Sequence, residues 1–347
     1  MVHVASGREW RGGQHQVLVL ARALHQRGVS TTVVTGADTE LADRLAAAHV
    51  PVERVPWRAG LDPRVITRLL QVLSSSTIVH AHDSHAHALA DVVARLRRAP
   101  LVVTRRVDFA MRNASRYQRA RAIVAVSHAV ARQCAGIGFD PTRIFVVPDA
   151  VDPDDQADDL TTWPMRSQRE IVTVAALARE KGIDILLRAA ALVHATHPDL
   201  GWVVVGEGDE RRALEKEREA LGLREVVSFP GPGPAAAAFR GATLVVQPSR
   251  SEGLGSAVLQ ALAQGVPVVA SDVGGLPDAL AHGGGILVPS DAPMELAQAV
   301  RRLLDDEEAR RAIGAAGRLA SEWFTVDRLV ERMAHVYRSL DSTPDGA

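Results

Sequence analysis

Three short stretches carry residue types that could handle a charged, hydroxyl-bearing ligand. The first is "PSRSEGLGSAVLQA", Pro248 to Ala261. It sets Glu252 in a Gly-rich turn ahead of an amphipathic pattern. The N–H groups of Gly253, Leu254, Gly255 and Ser256 then stand at a helix start, which favours an anion. A carboxylate beside a bound phosphate is repelled unless it has a partner, so the expected partner of Glu252 is a hydroxyl-bearing group. Gln260 lies two turns along the same helix, within reach of the same ligand. The second stretch is "AREKG", Ala178 to Gly182, where Arg179 and Lys181 fall between a strand and a helix. A lysine ammonium there is a point-charge partner for phosphate. The third is "SGREWRGGQ", where Gly12 and Gly13 directly precede a helix and let backbone approach a ligand closely. It is not the dinucleotide fingerprint, because the rest of G-x-G-x-x-G is missing. "VVVGEGDE" adds Gly206 and Gly208 at another strand-to-helix turn, and "VSFPG" adds a strand end at Phe229 whose backbone is placed to read a base. Together these residues suggest a diphosphate attached to something rich in hydroxyls, as in a nucleotide sugar.

Two further clusters need weighing. In "HAHDSHAH", His80 and His82 are two apart and share one face of a strand, with Asp83, His85 and His87 following. A metal site is one reading. No more distant Cys or His group completes a ligand set, so a polar wall or a capped helix start is the preferred one. From Arg95 to Arg121 there are nine arginines against the single acid Asp108, a local charge of +8. Such a segment is either a solvated helix face or a surface for an anionic partner, a phosphate-bearing acceptor or an acidic lipid surface. Arg105 and Arg106 end a strand and are expected to point towards the ligand, with Arg112 and His82 on the same acceptor side.

The elements that must position these residues alternate along the chain. "MVHVAS", "VSTTVVTG", "TIVHAH", "PLVVT", "AIVAVS" and "RIFVVP" read as strands apolar on both faces, with helical periods between them. In "GQHQVLVLARALHQRG", Val17, Leu20, Ala21 and Leu24 share one helix face and Gly28 follows as the expected C′ residue. Pro148 to Gln168 is rich in Pro and Asp and reads as a linker. The alternation then restarts with "EIVTVAAL", "GWVVVGEG", "VVSFPG", "ATLVVQPS", "VPVVAS" and "GGILVP", and Pro293 to Leu340 is helical throughout. One architecture occurs twice, giving two doubly wound α/β domains joined by a hinge. Ligands of open α/β sheets lie beyond the carboxyl ends of the strands, so two such domains facing each other would make a cleft.

Composition narrows the class. A chain of 347 residues, 47% hydrophobic and 23% charged, is long enough for two full cores. With 4% aromatic residues, those cores must be built from Ala, Val and Leu. A net charge of -1 gives no basis for nucleic-acid binding. The single cysteine, Cys134, excludes an internal disulfide framework and a cysteine-based zinc cluster. "MVHVASGREW" lacks a long apolar core of the signal-peptide kind, and no run of 18 apolar residues occurs. The expectation is a cytoplasmic protein.

The order and spacing of six motifs carry a resemblance. "WRGGQHQVLVLARALHQRG", "VAVSHAVARQ", "RIFVVPDAVD", "EKGIDILLRAAALV", "VVVGEGDERRALE" and "PSRSEGLGSAVLQALAQGVPVVASDVGGLPDAL" span nearly the whole chain. In these the chain resembles the retaining glycosyltransferases of family 4, with the GT-B fold of two facing Rossmann-like domains. The resemblance implies an N-terminal acceptor-binding domain, 1–150, and a C-terminal nucleotide-sugar domain, 165–324, with the last helix, 325–347, packing back onto the first. It implies transfer of a sugar to an acceptor hydroxyl of a cell-envelope glycan or glycolipid with retained configuration. No metal or other cofactor is required, no Asp-x-Asp stands where a metal-diphosphate bridge would sit, and the chain is expected to work in the cytoplasm, peripheral to the inner membrane face. By the same resemblance Glu252 contacts the donor sugar, Lys181 holds the diphosphate, and Gln260 stands where the family has a second Glu on the ribose. Two more departures matter. Ala176 replaces an Arg of the diphosphate site, for which Arg179 is the nearest substitute. Arg106 stands where a His often lies near the reacting sugar, and a guanidinium there cannot act as a general base. The expected catalytic set is therefore Glu252, Lys181 and Arg106. A nucleotide-sugar epimerase on the same fold and a non-catalytic nucleotide-sugar-binding protein are the alternatives.

Overall fold

A computed structural model describes residues 1–57, 62–107, 114–152 and 169–340. The chain divides into two compact units, Met1–Ala150 with Val326–Ala347, and Val151–Thr325. Arg112 and most of the Pro/Asp-rich stretch, 153–168, lie outside the described residues.

Unit 1 is built on a seven-stranded sheet: β1 (Val2–Val4), β2 (Thr32–Gly36), β3 (Val52–Val55), β4 (Val79–Ala81), β5 (Leu101–Arg105), β6 (Ala122–Ala125) and β7 (Ile144–Val146). Its order is β3-β2-β1-β4-β5-β6-β7, and every pairing is parallel. The central strands are Val- and Ala-rich because both faces are covered, and Val33, Val34, Val79, Val102 and Ile123 are fully buried. β3 is the strand that the apolar runs do not mark. It is an edge strand whose middle residues, Glu53 and Arg54, meet solvent-side partners. Helix Gly12–Gln26 packs Val19, Leu20, Ala23 and Leu24 into a core shared with Leu329, Val330, Met333, Val336 and Tyr337 of helix Val326–Ser339. Gly28, at φ +77°, turns the chain out of the first helix as expected of a C′ glycine.

Unit 2 repeats the plan with β8 (Glu170–Val174), β9 (Gly201–Val205), β10 (Val227–Gly231), β11 (Leu244–Gln247), β12 (Val268–Ser271) and β13 (Gly285–Val288). The order β10-β9-β8-β11-β12-β13 is again all parallel. Its core gathers Trp202, Leu186, Leu187, Val204, Leu244, Val246 and Val300, all at most 1% exposed.

In both sheets the order reverses beside the first strand, between β1 and β4 and between β8 and β11. These are topological switch points, where loops diverge to opposite faces and leave room for a ligand. The stretches with Gly12 and Gly13, His82 and Asp83, Arg179 and Lys181, and Glu252 follow these four strands, whereas Arg106, Gly206 and Gly208, and Phe229 belong to β5, β9 and β10. No helix among the described residues is long and apolar enough to cross a membrane.

Candidate active site

In unit 2 the loops after β8 and β11 are fastened together. Arg179–Lys181 form a 3-10 turn, and Gly182 follows in the left-handed region at φ +65° before helix Ile183–His194. A Cβ on Gly182 would run into the carbonyl of Pro248, so only glycine permits this approach. The backbone N–H groups of Arg250 and Ser251 donate to the Glu180 carbonyl at 2.7 and 3.3 Å. The Arg250 guanidinium then donates to the Arg179 carbonyl at 2.8 Å, to both oxygens of Asp184 at 2.8 and 2.7 Å, and to Asp291 at 2.6 Å.

This bracing brings Lys181 Nζ to 2.7 Å from Glu252 Oε2. Ser249 Oγ donates to the same oxygen at 3.1 Å and Gln247 Nε2 at 3.4 Å. The Lys181 and Glu252 side chains keep 21% and 13% of their surface. The pair is thus largely buried but still reaches the surface. Gly253, Leu254 and Gly255 are buried just ahead of helix Ser256–Ala263, whose first N–H groups have no intrahelical acceptor. Gln260 lies half-buried on that helix. Glu252 therefore has a cation partner as well as hydroxyl and amide donors, where the sequence suggested only a hydroxyl-bearing ligand.

Other expected donor residues are placed differently. Arg179 is exposed and lines a cavity of about 420 Å³ with Asp184, Arg188, Glu210, Glu217 and Arg250; neither Lys181 nor Glu252 borders it. In a turn of three residues, positions 179 and 181 face different ways. Gly206 and Gly208 pack against the backbone of Ala175 and Leu177, which lets the loop after β9 support the loop after β8. Phe229 is 8% exposed, with the Arg218 guanidinium 5.7 Å from its ring centre, and its carbonyl accepts from Arg211 at 2.8 Å. Its ring is thus packed inside, and one lone pair of its carbonyl is already taken by Arg211. The strand end is capped by an arginine that the sequence did not single out.

In unit 1, Gly12 and Gly13 open helix Gly12–Gln26, and a Cβ on Gly13 would sit 3.9 Å from Arg106 Cδ. Arg106 Nε donates to Asp149 Oδ1 at 3.1 Å, and its Nη1 lies 3.3 Å from His82 Nδ1. Burial pushes the Asp149 carboxyl up, and the Arg106 charge works against that shift. Asp149 itself is set by Gln16, whose side-chain amide exchanges hydrogen bonds of 2.7 and 2.9 Å with the Ala150 backbone.

Behind Arg106 is a buried histidine group that sequence reading saw only in part. His3 on β1 pairs in register with His80 on β4, so its ring joins those of His80 and His82. That register was the missing signal. His3 Nδ1 lies 2.8 Å from His82 Nε2; His80 bonds Thr104 at 2.6 Å and Tyr337 at 2.8 Å. Burial, then the amino terminus and Arg106, push the His3 ring down to about 3, and burial holds His80 and His82 well below the usual histidine range. The three rings lie close enough to hold a metal ion. Yet both nitrogens of His80 and of His82 are engaged in hydrogen bonds, and a guanidinium stands beside them, so the set is a poor cation site. Asp83 caps helix Ser84–Arg97 through the N–H groups of His85 and Ala86.

The basic segment resolves into separate fates. Arg105 is 5% exposed and turned against Tyr117, its guanidinium 5.8 Å from the ring centre. It does not face the ligand side with Arg106, because successive residues of a strand point to opposite faces. Arg119 is paired with Asp91 at 2.6 Å and Arg97 donates to the Leu70 carbonyl at 2.5 Å. Asp91 and Asp149 lie outside Arg95 to Arg121, so the +8 overstates the free charge. Arg112 falls outside the described residues.

Two Rossmann-like units of one strand order, with their site residues at the switch points, define the GT-B class of glycosyltransferase. Residues 10–155 match the family model described as Glycosyltransferase Family 4, and residues 164–320 match that described as Glycosyl transferases group 1. The chain is 30% identical to a D-inositol 3-phosphate glycosyltransferase of Catenulispora acidiphila, over 93% of this chain and 89% of that one. It is 34% identical to an alpha-D-kanosaminyltransferase of Streptomyces kanamyceticus, over 49% of this chain and 45% of the other. In fold it matches the crystal structure of Anabaena HepE in complex with UDP and glucose at a TM-score of 0.84 and 20% identity, covering 97% of this chain and 99% of HepE. The chain belongs to glycosyltransferase family 4.

Proposed function

We propose that the protein transfers a sugar from a nucleoside diphosphate sugar to an acceptor hydroxyl with retention of the anomeric configuration. The observation that carries this reading is the Lys181–Glu252 pair at the β8/β11 switch point, beside the start of helix Ser256–Ala263. As the glycosidic bond to the diphosphate breaks, negative charge grows on the phosphate oxygens. Lys181 and the N–H groups after Glu252 are positioned to meet it. Glu252 takes the sugar hydroxyls and Gln260 the ribose. Ala176 removes one cation from the diphosphate site, and Arg179, facing the neighbouring cavity, is a poor replacement. The leaving phosphate then helps to deprotonate the incoming hydroxyl, so no general base and no metal are needed.

Unit 1 takes the acceptor, with Arg106, His82, Gly12 and Gly13 as its candidate contacts. HepE, crystallised with UDP and glucose, favours a nucleotide-sugar donor. A relative named for D-inositol 3-phosphate favours a hydroxyl-rich, phosphate-bearing acceptor, which the Arg106 charge would suit. We assign the acceptor to the glycans or lipid-linked glycans of a cell envelope, met in the cytoplasm at the inner face of the membrane. Arg95 and Arg98 at the end of helix Ser84–Arg97 remain exposed for an anionic surface there. A thermal-shift screen with UDP-, GDP-, ADP- and dTDP-sugars identifies the donor, because a ligand of the native state raises Tm. Proton NMR of the product then gives its anomeric configuration. An inverted product, or no shift with any nucleotide sugar, would reject the reading.

A further inference from the structure

We propose that Gln247 and Ser249 are positioning residues for transfer, holding Glu252 by one oxygen so that the other is kept for the sugar. This rests on the reading of Glu252 as the sugar-binding carboxylate. Three donors, from Lys181, Ser249 and Gln247, converge on Oε2 at 2.7, 3.1 and 3.4 Å. Among the described residues none donates to Oε1. The last torsion of a glutamate is soft, so without such anchors the carboxylate would rotate freely. Gln247 and Ser249 are themselves fixed: they are 2% and 0% exposed, and Gln247 Nε2 also donates to Ser249 Oγ at 2.9 Å. Turning the Gln247 amide over would set its oxygen against the carboxylate, so the amide orientation is determined by its neighbours.

The arrangement has a consequence for the donor complex. Lys181 cannot remain wholly with Glu252 while it serves a diphosphate. When the ammonium is drawn to the phosphates, the two neutral donors keep the carboxylate in place. Glu252 then stays aimed at the sugar while its counter-ion changes partners.

Stability gives no reason for an amide at this position. The neighbours of Gln247 in β11, Leu244, Val245 and Val246, are apolar and fully buried. Gln247 Oε1 is buried without a hydrogen-bond partner among the described residues, and an acceptor in that state is unfavourable. A residue selected for packing would be aliphatic. The glutamine is thus a local cost that its contact with Glu252 explains.

The test compares Gln247→Leu, Ser249→Ala, Ser249→Thr and Glu252→Ala in the full chain. Each is assayed for Tm, for Kd of UDP, GDP, ADP and dTDP, and for Kd and acceptor-free hydrolysis of the corresponding glucose conjugates. With Gln247→Leu and Ser249→Ala we expect Tm to hold or rise and nucleoside diphosphate binding to stay within about twofold. The extra affinity given by the sugar should vanish, and kcat should fall about 10- to 100-fold, as for a misaimed catalytic group. Ser249→Thr, which keeps the hydroxyl, should retain most of the rate. An unfolded Gln247→Leu chain, or one with unchanged kcat and sugar-dependent affinity, would overturn the inference. If Glu252→Ala too binds and hydrolyses the conjugates normally, the reading of the site fails as a whole. If Glu252→Ala is inactive while Gln247→Leu and Ser249→Ala are not, only the positioning role fails.

Discussion

Arg106 and Asp149 form an ion pair, 3.1 Å between Nε and Oδ1, with only 14% and 11% of the two side chains exposed. Removing one partner of such a pair leaves the other charge poorly solvated, whereas removing both does not.

Arg106→Ala should therefore lower stability by about 1–3 kcal/mol. Burial already raises the Asp149 carboxyl, so its ionised form costs stability as pH rises through its folded-state titration. Loss of Arg106 enlarges that cost towards high pH. Adding Asp149→Asn should restore stability in denaturant titrations without restoring transfer. Recovery of both would make Arg106 a structural residue.

Lys181→Ala should raise the donor KM and cut kcat by about 100-fold, the size seen when one donor to a developing oxyanion is lost. The fold should survive, because the pair still reaches the surface and Arg250 braces the loop independently. Unchanged kinetics would move diphosphate binding elsewhere in unit 2.

Gln260→Glu should leave the protein active and tighten the donor by up to about tenfold, the gain of a charge-assisted over a neutral hydrogen bond. Calorimetry with the nucleoside diphosphate reads this directly. A folded but inactive variant would mean that the ribose is held in another way.

Acid should unfold unit 1 before unit 2. The His3 ring titrates at about 3 and His87 at about 4 in the folded chain, with His80 and His82 also depressed. Unfolded histidines titrate near 6.5. Their contribution is complete above that pH and is lost as pH falls, by up to about 1.4 kcal/mol per pH unit for each ring. Hydrogen exchange at pH 7.5 and 5.5 should show protection lost selectively in Met1–Ala150 and in helix Val326–Ser339. Equal loss in both units would contradict this.

Transfer should persist in EDTA, because the best-placed metal ligands are bonded to each other and lie beside a guanidinium. Activity abolished by EDTA and restored by one divalent ion would return His3, His80 and His82 to the mechanism.

Most of this architecture was legible because buried parallel strands announce themselves as apolar runs. β3 was not, since an edge strand tolerates Glu53 and Arg54. The site stretches were legible because they follow strands. Their interactions were less so. The approach of Lys181 to Glu252 depends on which loops adjoin at the β8/β11 switch point, 71 residues apart in the chain. The partners of Arg106 and Arg119 are acids outside the charge run, and the third histidine of the cluster comes from the neighbouring strand. Arg105 was readable in principle, since alternation along β5 already opposes it to Arg106. In each of the other cases the missing information is strand order and register, which local sequence does not encode.

The two passages of the chain between the units have a consequence for synthesis. Unit 2 is continuous from Val151 to Thr325, and those two residues pair with each other as parallel neighbours. Unit 1 needs residues from both sides of it, for its core includes Met333, Val336 and Tyr337. On a ribosome working from the amino end, the half that begins first must be finished last. Its strands wait, with the faces of Val19, Leu20, Val102 and Val124 uncovered, while about 175 further residues emerge and fold. A released chain ending at Thr325 should therefore hold a protease-resistant unit 2 behind an amino-terminal half that is still readily cut.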